Sequence, residues 1–167
     1  MPRAVSADGT AIGYDRLSDE GPVLVLVGGG LDDGTENVPL GTHLAGSFTV
    51  VNYRRRGRGD SGDTEPYAVQ REIEDLAAVI DANGGRAHLF GASSGGALAL
   101  EAAAAGLPID RIDAHAAGLP TDFFGAAADA AAAQLPNGRR VTIDVPGPLP
   151  EPALLGPVLT AFYIAGG

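Results

Sequence analysis

Apolar positions along the chain fall into short unbroken runs that alternate with longer stretches of helical spacing. Val23 to Val27 is a continuous, branched-rich run ending in Gly28-Gly29-Gly30, the pattern of a strand buried on both faces of a parallel sheet. Phe48 to Tyr53 reads as a second such strand, and a glycine-rich loop from Arg56 to Gly62 follows it. A short helix is expected between them, near Val38 to Ala45. From Val69 to Ala82, Ile73, Leu76, Ala77 and Ile80 recur at helical spacing until Asn83-Gly84-Gly85 stops the helix. Val5 and Ile12 to Leu17 flank Ala7-Asp8-Gly9-Thr10, which reads as a hairpin turning at Asp8-Gly9 and forming an antiparallel edge.

The run His88-Leu89-Phe90 opens another strand, and Ala97 to Ala104 is rich in strong helix formers. Beyond it, Ile109 to Ala114 predicts a short strand, Ala126 to Leu135 an alanine-rich helix, Arg139 to Val145 a strand and Pro152 to Tyr163 a last helix. Pro146 to Pro152 reads as a stiff loop rather than a linker. Strands alternating with helices predict an α/β fold: an open, mostly parallel sheet with helices on both faces, in one domain over residues 1–167.

Composition narrows the classes of function. With 45% hydrophobic residues in 167, the chain can bury a sizeable core. A formal charge of -10 argues against nucleic acid as a partner, because phosphate binding needs a basic face, and the cluster Arg54-Arg55-Arg56-Gly57-Arg58 is too local to supply one. No apolar run approaches the roughly 20 residues that span a bilayer, and the first residues lack a signal-like apolar stretch, so no membrane association and a cytoplasmic location are expected. The chain has no Cys, and His43, His88 and His115 have no ligand spacing, so no metal and no cofactor are expected. Gly57-Arg58-Gly59-Asp60-Ser61-Gly62 fits a dinucleotide-binding string, but Pro66 follows where a helix should begin. The arginines of that segment are expected to be solvated or ion-paired, and Asp32 and Asp33 to be exposed turn residues.

The most informative motif is Gly91-Ala92-Ser93-Ser94-Gly95, placed where a strand turns sharply into a helix. This Gly-x-Ser-x-Gly pattern is a nucleophile elbow: Ser93 sits on a strained turn, and the two glycines allow strand and helix to pack closely.

Together with Gly28-Gly29-Gly30, Tyr53-Arg54-Arg55-Arg56-Gly57-Arg58-Gly59-Asp60-Ser61-Gly62 and Arg71-Glu72-Ile73-Glu74-Asp75-Leu76, the elbow resembles the α/β-hydrolase superfamily over residues 1 to about 115. Arg54 stands where that family usually has Asp. The resemblance implies Ser93 as nucleophile, with an oxyanion hole from the backbone N–H groups of Ser94 and Gly30. It also implies a helical cap, a further strand bearing the triad acid, and a late loop carrying a catalytic His. The second half is too short for these: cap and strand are expected to be deleted, and Pro148 falls where the His belongs.

A serine hydroxyl is a weak nucleophile without a neighbouring base. His115, ending the strand next to the elbow strand, is the provisional replacement, with Asp122 to orient it; His88 and His43 are expected to be structural or solvated. Three functional classes follow, the last two of them hydrolysis-deficient. One is a serine hydrolase, an esterase or thioesterase acting on a small acyl substrate. The second is a hydrolysis-deficient relative performing a non-hydrolytic biosynthetic step such as cyclisation or elimination, and the third is a non-catalytic binding or scaffolding protein. Losing a strand and a cap would uncover a sheet edge and apolar surface, so a homodimer is expected.

Overall fold

The computed structural model describes residues 1–115, 129, 130, 132, 133 and 151–164. Its strands are β1 (Arg3–Val5), β2 (Ala11–Arg16), β3 (Val23–Val27), β4 (Thr49–Tyr53), β5 (Ala87–Ala92) and β6 (Ile109–His115). The helices are α1 (Val38–Leu44), α2 (Val69–Ala82), α3 (Ser94–Ala104) and α4 (Pro152–Ile164). The strands form one sheet in the order β1-β2-β4-β3-β5-β6. β1 and β2 are antiparallel, as is β2 against β4, and the remaining pairs are parallel. The expected edge hairpin is therefore present, with Gly9 at φ 86 in its turn.

β3 shows why an unbroken apolar run is needed at the centre of such a sheet. Val25 and Val27 enter one core cluster with Ile73, Leu76, Val79, Ile80, Leu98 and Ala102 from α2 and α3. Leu24 and Leu26 point the other way, into a cluster with Leu40 and Leu44 of α1 and Leu155, Leu159 and Tyr163 of α4. Each face of the strand is covered by helices, so both parities of its side chains must be apolar.

α2 ends as its sequence predicts. Asn83 donates from Nδ2 to the Val79 carbonyl at 2.8 Å, and Gly85, at φ 77, donates its N–H to the Ile80 carbonyl at 3.0 Å. Of the alanine-rich helix expected at 126–135, residues 129, 130, 132 and 133 are helical; the rest of it and the strand expected at 139–145 lie outside the described residues.

Candidate functional site

Ser93 has φ 52 and ψ -122 and is the one non-glycine residue with positive φ among those described. Its neighbours impose that geometry. A Cβ on Gly91 would lie 2.5 Å from the Gly96 Cα, and one on Gly95 only 2.2 Å from the Val27 carbonyl oxygen. β5, α3 and β3 thus touch backbone to backbone, and the chain must reverse within one residue. The Ser93 N–H donates to the His115 carbonyl at 2.8 Å, and the Ser93 carbonyl accepts from the Gly96 N–H at 3.0 Å. Held from both sides, Ser93 is exposed, and its hydroxyl does not cap the helix it precedes. Non-glycine residues in such conformations carry about 1–3 kcal/mol of strain and concentrate at functional sites.

The loop after β3 runs beside this turn. A Cβ on Gly29 would be 3.7 Å from the Ser93 Cβ, and one on Gly30 would be 3.4 Å from the Ser94 Oγ. Asp32 shapes the loop from within. Its carboxylate accepts from the N–H groups of Gly34 (2.7 Å) and Glu36 (3.2 Å) and from Asn37 Nδ2 (3.2 Å). The expectation of an exposed Asp32 is therefore corrected: it is buried because the loop closes around its carboxylate, whereas Asp33 is exposed.

Of the arginine segment, Arg54, Arg55 and Arg56 are ion-paired, within the expectation, and buried rather than solvated, whereas Arg58 is half-buried. Arg54 binds Asp15 at 2.9 Å and Asp60 at 2.5 Å. Arg56 binds Asp75 through two nitrogens, at 2.8 and 2.7 Å, and Asp8 at 3.1 Å. Arg55 forms a fork on Glu72 at 2.5 and 2.7 Å, and its Nη1 donates to Ser94 Oγ at 3.0 Å. Tyr67 adds a hydroxyl bond to Glu72 at 2.9 Å. Burial pushes the Glu72 carboxyl up, but the Arg55 hydrogen bonds and charge, with the Tyr67 hydroxyl, outweigh it and leave it below its ordinary range. A buried ion pair thus runs from α2 to the residue after the nucleophile. Glu72, Asp75, Leu76 and Val79 lie at i, i+3, i+4 and i+7, and all are buried. Two carboxylates on the apolar stripe of α2 are the sequence signal that partners for buried cations lay opposite.

His115 reaches the elbow by its backbone. Its ring stacks on Phe90, with centroids 6.1 Å apart at 24°; among the described residues its buried Nε2 has no hydrogen-bond partner, and no hydrogen bond joins it to Ser93 Oγ. Burial lowers its pKa, which favours the neutral ring. Asp122 and Pro148 lie outside the described residues. His88 is buried, 5.0 Å from the Tyr163 ring, and the exposed His43 abuts Gly156.

Asp113, which the sequence reading did not single out, pairs across the sheet with Phe90 as His115 pairs with Ala92, so both face the α1 and α4 side. Its Oδ1 is buried without a hydrogen-bond partner among the described residues, and burial pushes the carboxyl up to about 6. Among the described residues no cluster of His, Cys, Asp and Glu is suited to a metal, and no helix is long and apolar enough to cross a membrane.

Comparison with known proteins bears on the family and the fold. A family model for the alpha/beta hydrolase family matches residues 23–165. An uncharacterized hydrolase, YraK, of Bacillus subtilis (strain 168) is 33% identical over 90 residues, which are 52% of this chain and 33% of that protein. The matched segment thus spans about a third of that curated relative. The crystal structure of an alpha/beta hydrolase from Sphaerobacter thermophilus DSM 20745 superposes with a TM-score of 0.87 at 32% identity, covering 97% of this chain and all of the other. The bottromycin epimerase BotH, solved in complex with bottromycin A2, is 33% identical over 82% of this chain and 57% of its own, with a TM-score of 0.62.

Proposed function

The chain belongs to the alpha/beta hydrolase family, and from that premise we propose that it is a serine-hydrolase-like enzyme, an esterase or thioesterase acting on a small acyl substrate through Ser93. The observation that carries this reading is the backbone of Ser93, the one described non-glycine residue with positive φ and exposed at the end of β5. Ser93 Oγ attacks the acyl carbonyl carbon as its proton passes to a base. The N–H groups of Ser94 and Gly30 receive the oxyanion, the tetrahedral species collapses, and the alcohol or thiol leaves with the proton. Water then releases the acid from the acyl-enzyme and restores the hydroxyl. His115 is the proposed base, with Asp122 to orient it. In that role the imidazole turns off the Phe90 face toward Oγ, and its neutral form suits proton acceptance. We propose further that the protein acts as a cytoplasmic homodimer, in which a second subunit covers the shortened half; a monomer by light scattering at micromolar concentration refutes this.

A fluorophosphonate probe, read by intact mass and peptide mapping, tests the reading. Stoichiometric labelling of Ser93, lost in Ser93→Ala and strongly slowed in His115→Ala, supports it. A folded protein that takes no label refutes it.

One set of observations favours a second reading, a non-hydrolytic role. The His115 ring makes no bond to Ser93, Pro148 stands in the register of the usual His, and the likeness to BotH is to a protein named as an epimerase. On that reading a small molecule binds saturably to Ser93→Ala protein and is rearranged or released unchanged.

A further inference from the structure

Arg58 stands apart from the arginines around it. Arg3, Arg16, Arg54, Arg55, Arg56, Arg71 and Arg86 each form an ion pair with a carboxylate. Arg58 forms none. Its Nε donates to the Gly30 carbonyl at 2.8 Å and its Nη1 to the Arg56 carbonyl at 3.2 Å, leaving Nη2 without a hydrogen-bond partner among the described residues. The guanidinium is therefore fixed in place by two neutral acceptors while its charge stays uncompensated. Glu72, the carboxylate whose titration feels Arg58, is already held by the Arg55 fork and by Tyr67. Asp33 and Asp63, exposed on the flanking loops, do not pair with it.

A second polar group borders the same Gly30. Ser94 Oγ accepts from Arg55 Nη1, and because a guanidinium only donates, the Ser94 hydroxyl proton remains available. This oxygen lies 3.4 Å from where a Gly30 Cβ would be, on the residue whose carbonyl holds Arg58. Both residues are accessible, Arg58 half-buried and Ser94 exposed. In a chain of formal charge -10, a fixed, unpaired cation and a free hydroxyl proton flank the loop beside Ser93.

We propose that Arg58 and Ser94 receive a carboxylate on the substrate, so that the enzyme prefers an acyl substrate bearing a second, anionic group. The site rests on the reading of Ser93 as nucleophile, but the binding itself is separable from catalysis. A guanidinium held in advance loses little freedom on pairing, and charge-assisted bonds are the stronger ones.

The test compares kcat/KM for 4-nitrophenyl hydrogen succinate with that for 4-nitrophenyl butyrate, in wild type and Arg58→Gln. A third ester, 4-carboxyphenyl butyrate, tells a carboxylate in the leaving group from one in the acyl chain. A preference for a charged ester that falls roughly tenfold in Arg58→Gln, and weakens with added salt, supports the proposal. Equal use of charged and neutral esters by wild type, or a preference unmoved by Arg58→Gln, overturns it. Should Ser93 prove inert, calorimetric titration of Ser93→Ala protein with monomethyl succinate decides: binding that weakens in the Arg58→Gln background supports the carboxylate site, and binding that does not, or none, overturns it.

Discussion

The Arg55–Glu72 pair is the most exacting test of the energetics. Glu72 is 1% exposed and Arg55 8%, so neither charge has recourse to water if its partner is lost. Glu72→Gln preserves shape and leaves one acceptor, but it turns an amide N–H₂ against a guanidinium that can only donate. Breaking a buried pair from one side costs about 3–5 kcal/mol. Against a total stability of about 5–15 kcal/mol for a domain, that loss is large. With a urea dependence of roughly 2 kcal/mol per molar, the unfolding midpoint followed by circular dichroism moves down by roughly 2 M. Replacing both partners in Arg55→Met/Glu72→Met removes the stranded charge, and much of the stability returns. If Glu72→Gln fails to fold, recovery of folding by the double variant carries the same information. A Glu72→Gln loss below about 1 kcal/mol, or a double variant no better than the single, refutes the assignment of these groups as a mutually dependent ion pair.

Asp113→Asn is expected to stabilise the protein in a pH-dependent way. The folded carboxyl titrates near 6 against an ordinary 3.8, so between those values the folded protein holds a proton that the unfolded chain has released. Stability therefore falls as pH rises through this window, by up to about 3 kcal/mol; thermal melts should show the Asn variant gaining well above the window and gaining little below it, and a gain equal on both sides would refute the burial argument. Ser93→Gly should also stabilise while abolishing the label. Relief of about 1–3 kcal/mol of strain outweighs about 0.5–1 kcal/mol of added unfolded-chain entropy, so Tm rises by roughly 2–4 °C, and a lower Tm would show that the turn is not strained.

Those features that depend on neighbours close in sequence were legible in the chain. β3 declares itself by its unbroken run, α2 by its spacing and its Asn83-Gly84-Gly85 stop, and the elbow by two glycines around a serine. What escaped depends on groups brought together from far apart. Arg56 is buried because Asp8 and Asp75 meet it from opposite sides in sequence, and Arg55 because α2 carries Glu72 back across the sheet. Asp32 was misjudged because an acidic pair after three glycines looks like a turn, and its burial follows from the carboxylate collecting three donors. Asp113 lies on a strand whose alternation is weak, with Arg111, Asp113 and His115 all polar on the side turned to α4.

The backbone contacts of Gly91, Gly95 and Gly96 also bear on how the protein can be engineered. Where a helix meets a sheet through side chains, repacking the interface shifts the helix and whatever it carries. Here the seating of the serine is set by main-chain atoms, which are identical whatever the surrounding sequence. Libraries that diversify Leu98, Ala99 and Ala102 on the buried side of α3 should therefore yield variants of altered stability with an unmoved reactive hydroxyl, provided those three glycines are left untouched.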